Sequence, residues 1–448
     1  MSGPTESTSA SSATASDALI EEAARHGADA EVWTLRQWTD ELVCRLGTVE
    51  RRSDVATGAT ALTVWADGTE GYAVQNVPDS RDPALVTAAL AVGRALAATG
   101  SAPPPPPAPE APRKAPDTPP PHLDAEATER LRALSAGGDG LDVELRTRAD
   151  RSRIRLHRAG ARPLGYDTGV VQLHTRITAR GDGIGYIGHQ SYGRTVPALL
   201  DRVETTELPE LIGLARLLAA KPVSRLAYDD LLVDGRVLVK LLSLIVPAFL
   251  LDSVLEGRSP LADRTGEMVA SPGVTLVDDP TAPDSPLPVP WDGEGTPCGP
   301  TALIEDGVLS GFLSARRTAA EAGTTGSGSG RRGPGGEMVT VQPGYLLLRH
   351  TTCLGTEFRA GRTVLHVVQA NGAHTSNPIT GEFSIGANAV VVGPDGTRDN
   401  AGNITLAGNV FELLRNIDGH DGRIRVNRSH DSFVAGPGVW TASLTTGR

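Results

Sequence analysis

The sequence predicts an α+β protein with a small N-terminal α/β domain, a central antiparallel α+β domain and a strand-rich C-terminal domain with a few helices. Three observations carry that reading. In the centre, Val143, Leu145 and Thr147 interleave with Glu144, Arg146 and Arg148, and Ile154 and Leu156 with Arg153 and Arg155. Such alternation marks antiparallel strands with one wet face. Elsewhere, apolar residues recur at helical spacing, as at Leu19, Ile20, Ala23 and Ala24. Finally, residues 103–121 contain eleven prolines, a composition that packs no core and separates what lies on either side.

The elements follow in order. Residues 1–17 are small and polar, without the basic start or apolar centre of a signal peptide, and read as a disordered tail. The N-terminal domain, 18–102, opens with a helix. Leu62 and Val64 begin a strand, Asp67-Gly68 turns it, and Gly71 to Val74 returns, a hairpin signature. An Ala/Leu/Val-rich helix follows from Pro83 to Thr99. The linker, 103–121, extends up to roughly 60 Å as polyproline II. The central domain, 122–225, has a short helix, alternating strands and a helix over Leu208 to Ala220. The C-terminal domain, 226–448, is mostly strand punctuated by Gly and Pro. Its helices are expected around Arg236–Leu255 and over Thr405–Ile417, where Leu406, Val410, Leu413, Leu414 and Ile417 share a face.

Composition excludes several functions. A net charge of −11 over 448 residues opposes general nucleic-acid binding, and 4% aromatics supply no base-stacking platform. The longest apolar run, Leu241 to Leu251, is interrupted by Ser243 and Pro247 and falls short of the roughly 20 residues of a membrane span. Cys44, Cys298 and Cys353 are odd in number and far apart, which fits a reducing cytoplasm and no disulfide framework.

Motifs for chemistry are sparse. The closest of ten histidines, His366 and His374, are eight apart, with no His-Glu-x-x-His, so no local zinc signature exists. Gly183–Gly188 and Gly328–Gly333 match Gly-x-Gly-x-x-Gly but lack the strand-to-helix context that seats a pyrophosphate. Seven arginines between Arg146 and Arg162, mixed with Glu144 and Asp150, read as a solvated strand face rather than an anion dock. Asp292 and Glu294 share a face if their segment is extended, a candidate pair of acids.

An ordered set of segments then runs through the third domain. It comprises Gly257-Arg258-Ser259-Pro260-Leu261 with Gly266, Val274 to Pro280, and Asp292-Gly293-Glu294-Gly295-Thr296-Pro297. Thr301 to Leu309, the Gly/Ser loop through Arg332, Asn377 to Ser384 and Asn403 to Asn409 complete it. On these segments, and on Gly58 to Gly71 of the first domain, the chain resembles the TldD/PmbA family, the modulators of DNA gyrase, which are peptidases or peptidase subunits. The resemblance implies two kinds of member. TldD-type chains carry His-Glu-x-x-x-His, which holds zinc and activates water. Here the corresponding stretch, Leu241 to Glu256, has no histidine and offers at most Asp252 or Glu256, so the chain looks like the TldE/PmbA type.

The resemblance implies a non-catalytic subunit of a heterodimeric zinc metallopeptidase that trims unfolded or precursor peptides, natural-product precursors among them. Zinc is expected in a TldD-type partner and no cofactor in this chain. Thr380, Gly381, Glu382, Phe383 and Ser384 are expected to wall a peptide chamber, without catalytic or metal residues of their own. The alternative is a stand-alone peptide-binding or regulatory protein without peptidase activity. A third course, zinc held here by His366, His374 or His430, would make the chain itself an enzyme.

Overall fold

The computed structural model describes residues 9–97, 121–355, 361–371, 376–429 and 432–447. The N-terminal half runs α1 (Ser9–Arg25), β1 (Asp29–Arg45), β2 (Thr48–Ala66), β3 (Thr69–Gln75), α2 (Ala84–Ala97), α3 (Ala125–Leu134), β4 (Leu141–Arg158), β5 (Leu164–Arg180), β6 (Ile184–Gly193), α4 (Val196–Arg202) and α5 (Leu208–Ala219). A π-helical turn, Val203–Glu207, joins the last two helices. The strands form one antiparallel sheet in the order β3-β2-β1-β4-β5-β6.

That sheet ties together what the sequence reads as two domains. Residues 98–120, which hold nearly all of the proline run, lie outside the described residues. On either side of them β1 and β4 pair from Glu31↔Arg158 to Arg45↔Glu144. Two other sequence expectations change here. Residues 1–8 of the expected tail lie outside the described residues, but 9–17 begin α1. Its Ala15, Leu19 and Ala23 fall four apart and are buried against the sheet, so small residues serve as a helix contact face. The Asp67-Gly68 turn is present, with φ of 51° and 73°, the mirror-image turn that suits strand twist. The hairpin before it, β1–β2, was missed because it turns on Leu46 and Gly47 (φ 49° and 75°), a pair without the usual turn chemistry.

Alternation gives the sheet two different faces, and the helices cover one of them in two clusters. Leu42, Cys44, Val143, Leu145, Val171, Leu173 and Ile177 are buried in the cluster that includes residues of α3, α4 and α5. Ala30, Val32, Leu62 and Val64 cluster with residues of α1 and α2. Close helix approach needs glycine on the edge strands: a Cβ on Gly71 would lie 1.9 Å from the Ala89 carbonyl oxygen, and one on Gly185 1.9 Å from that of Ala215. The Gly183–Gly188 motif is therefore a helix-packing surface.

The C-terminal half contains β7 (Asp230–Val233), α6 (Gly235–Ile245), α7 (Leu251–Leu255), β8 (Val274–Asp278), β9 (Thr301–Glu305), β10 (Val308–Leu309), α8 (Arg316–Glu321), β11 (Gly330–Arg331), β12 (Thr340–Val341), β13 (Tyr345–His350) and β14 (Val364–Asn371). Then come β15 (Glu382–Val392), β16 (Arg398–Asn409), α9 (Val410–Arg415), β17 (Ile417–His420), β18 (Arg425–Ser429), β19 (Ser432–Gly436), β20 (Val439–Thr441) and β21 (Thr445–Gly447). One sheet has the order β17-β20-β7-β14-β15-β16-β21, another β10-β9-β8-β13-β19-β18. Strands of both sheets share the largest core cluster with α6. The fold is thus α+β, with both antiparallel and mixed sheets.

Two expected helices take different form. Arg236–Leu255 is α6, a 3-10 turn at Val246–Phe249 and α7, because Pro247 cannot donate within a continuous helix. Thr405–Ile417 is strand up to Asn409, paired with β15. There the Asn409 side chain accepts the amides of Phe411 (2.8 Å) and Glu412 (3.3 Å) and starts α9.

Candidate functional site

The face of the six-stranded sheet opposite its helices meets the C-terminal half in a cleft. On β1, Glu31, Trp33, Leu35 and Gln37 alternate onto this face, and register places Thr63 of β2 and Ile154 of β4 on it. Two cavities lie along the cleft, of about 350 Å3 and about 190 Å3, and Arg332 lines both.

The C-terminal wall is built around Trp291-Asp292-Gly293-Glu294. Trp291 is fully buried and packs edge-on against Tyr166 of β5, 4.7 Å between ring centroids. It anchors a turn, not the strand under which the sequence paired the two acids. Asp292 Oδ1 accepts the amides of Glu294 and Thr296, both at 2.9 Å, and Oδ2 accepts the Gly330 amide at 2.9 Å. A Cβ on Gly330 would sit 3.1 Å from Asp292 Oδ2 and 2.8 Å from Glu294 Oε2, so the Gly/Ser loop must be bare there to reach the acids. Its glycines cradle a carboxylate of the chain itself, not a phosphate.

Glu294 Oε2 accepts the Arg316 amide at 2.8 Å. Burial and the adjacent Asp292 carboxylate push Glu294 up to about 7. With three amide donors on Asp292 and one on Glu294, the anionic form is better supported on Asp292 than on Glu294. Across the cleft, Glu31 is buried with Arg316 Nη2 at 3.4 Å and Arg332 Nη2 at 3.9 Å. Burial raises its carboxyl, and Arg316, Arg332 and Arg158 pull it back. Arg332 also donates to the Gly293 carbonyl at 3.1 Å and lies over the Tyr72 ring, 5.5 Å from its centroid. Cys298 donates to the Gly328 carbonyl at 3.3 Å, and burial pushes its thiol up to about 11, so it is no thiolate nucleophile at neutral pH.

These groups do not fit zinc. Glu31 and Glu294 are committed to arginines and amides, and Asp252 of α7 and Glu256 just after it bring no histidine or cysteine to the larger cavity. Among the described residues no group of three or more His, Cys, Asp or Glu could hold a metal ion. His366 faces Asp234 Oδ2 at 3.3 Å, while His374 and His430 lie outside the described residues. The cleft can bind main-chain and acidic groups through arginine and hold apolar side chains against Trp33 and Tyr166.

Residues 228–448 match the model of the PmbA/TldA metallopeptidase C-terminal domain. The C-terminal half of the chain thus carries the C-terminal domain of the TldD/PmbA family. It is 30% identical over 270 residues to a metalloprotease of Methanothermobacter thermautotrophicus, covering 56% of each chain. It is 33% identical over 169 residues to one of Archaeoglobus fulgidus, covering 37% of this chain and 39% of that protein. The chain thus spans about half or less of the length of these curated relatives. In fold it is similar to TldE from Thermococcus kodakarensis, with a TM-score of 0.80, 21% identity, and coverage of 97% of this chain and 100% of that one.

The predicted wall residues sit elsewhere in the C-terminal half. Gly381 (φ 76°) closes a turn against α9, where a Cβ would meet the Phe411 ring at 2.7 Å. Phe383 is in the core, and Thr380, Glu382 and Ser384 are exposed. None of the five lines either cavity. The arginines of β4 mostly find carboxylates: Arg148 with Asp150, Arg151 with Asp40, Arg153 and Arg155 with Asp167, and Arg158 with Asp29. Sequence reading missed Glu31, Arg316, Arg331 and Arg332. The only signal for them was the Gly/Ser loop ending in two arginines, whose acidic partners lie far along the chain.

Proposed function

We propose that this chain is the non-catalytic subunit of a heterodimeric zinc metallopeptidase that trims unfolded or precursor peptides, including precursors of peptide natural products. One observation carries the reading: a cleft with two cavities is present, while the α6–α7 stretch beside it is apolar and buried where a metal-binding helix needs histidines. Leu241, Leu242, Ile245, Ala248 and Phe249 are all buried in the core. A peptide laid along the cleft would meet the arginine and aromatic side chains that line it.

The zinc and the water-activating glutamate belong, in this reading, to a TldD-type partner. The exposed side chains of Thr380, Glu382 and Ser384 form outer wall of the shared chamber. We place the protein in the cytoplasm. Cys44, Cys298 and Cys353 are free thiols, and no helix among the described residues is long and apolar enough to cross a membrane. The test is cleavage of an unfolded protein by the purified chain, by the TldD-type partner and by the two mixed. Activity requiring the partner supports the subunit role. Zinc-dependent cleavage by this chain alone overturns it.

A further inference from the structure

Resting on the peptide-binding reading, we infer that the smaller cavity is a carboxylate subsite: it takes an acidic side chain or the C-terminal carboxylate of the bound peptide, with Arg331 as its principal cation. The cavity, about 190 Å3, is lined by Arg148, Arg331, Arg332 and Arg428 against two acids, Asp150 and Asp292. Both acids are already engaged. Asp150 receives Arg148 Nε at 2.9 Å on each oxygen and the Thr39 hydroxyl at 2.6 Å. Asp292 is filled by three amides.

Arg331 stands out among these cations. Its Nη1 reaches only the Cys298 sulfur, at 3.6 Å, and its Nε and Nη2 have no hydrogen-bond partner among the described residues. Nε and Nη2 form the edge of a guanidinium that docks a carboxylate with two parallel bonds. This chain uses that same edge elsewhere, from Arg132 to Glu129 and from Arg45 to Asp142. Asp278, outside the cavity wall, also acts on Arg331 through its charge, but it spends Oδ1 on the amides of Gly344 (2.9 Å) and Tyr345 (2.8 Å), and burial pushes it up to about 6.

The side chain is also held where it is by shape. Gly344 lines the same cavity, and a Cβ there would lie 2.8 Å from Arg331 Nη2 and 2.6 Å from the Pro280 ring. Trp33, Tyr166 and Val289 supply apolar wall beside the charge, which strengthens an ionic contact by excluding water. A peptide acid arriving here would pair with a guanidinium that the protein's own carboxylates leave unbonded.

The experiment measures binding of short unstructured peptides to the full chain. They are identical except for an Asp or an Asn at one position and a free or amidated C-terminus. The inference expects the acid at one of those two places to bind roughly tenfold tighter than its neutral counterpart. That preference should vanish in Arg331→Gln. Which pair of peptides shows the effect tells a side-chain acid from a terminal one. Equal affinity across the set overturns the subsite and leaves peptide binding standing, whereas no binding by any peptide overturns both. Should Arg331→Gln fail to fold, Arg148→Gln on the exposed wall must reduce the preference, and an unchanged preference contradicts the inference.

Discussion

At the scale of single residues, the cleft sets carboxylates against arginines where the sequence showed only two acids near each other. Asp292 and Glu294 were visible as a pair because they are two apart. Glu31 and Arg316 were not, since 285 positions separate them and only the fold brings them together. The raised Glu294 carboxyl has a stability consequence with a definite sign. Its folded value of about 7 exceeds the ordinary 4.5, so between those pH values the folded state binds more protons than the unfolded. Its contribution therefore falls as pH rises through that window. Glu294→Gln removes the cost of the buried charge. It should stabilise the protein by about 3 kcal/mol above pH 7 and have little effect below pH 4.5. Denaturant titrations across pH would show this; an equal effect at all pH values would contradict it. Gly330→Ala should cost about 1–3 kcal/mol, since its Cβ would press on Glu294, Val339 and Asp292, a loss readable from the thermal midpoint.

At the scale of elements, legibility followed local chemistry. The Asp67-Gly68 hairpin, the alternation of β4 and the apolar character of α6 were all readable from short windows. The long β1–β2 hairpin was not, because Leu46 takes a positive φ that no sequence rule assigns to leucine. The start of α9 misled for a related reason: Leu406 fits a helical stripe, yet it pairs with Ile385 in the sheet. Asn409 sets the boundary, and it also donates to the Thr380 carbonyl at 2.7 Å. Asn409→Ala should cost about 1 kcal/mol through the lost cap. A chemical denaturation curve can measure this, and an unchanged midpoint would remove Asn409 from that role. The arginines of β4 do not form one wet face: Arg148 is exposed toward the cleft, whereas Arg151, Arg153 and Arg155 are half-buried on the opposite face, and sequence could not supply Asp29, Asp40 and Asp167 as partners across neighbouring strands.

At the scale of the whole molecule, composition pointed to a boundary that strand pairing crosses. Proline content identifies a segment unable to pack a core, but it does not reveal that the flanking strands meet again. Fifteen register pairs from Glu31 to Arg45 join β1 to β4, and Leu42 and Cys44 share a core with Leu145 and Leu173. A protease site inserted into the proline run and cut should therefore leave one particle, with the two pieces co-eluting and melting together. Separation of the pieces without denaturant would contradict the shared sheet. The cleft depends on the same assembly, because one wall comes from each half of the chain.

The central claim is that this chain contributes a peptide-binding wall and its partner the metal. Its most direct test is to purify the tagged chain from its own host under gentle conditions, weigh the intact complex by native mass spectrometry and count its zinc. The account predicts a one-to-one complex with a TldD-type chain, zinc bound to that chain and none to this one. A zinc-free assembly of this chain with itself, or stoichiometric zinc on this chain alone, would contradict it.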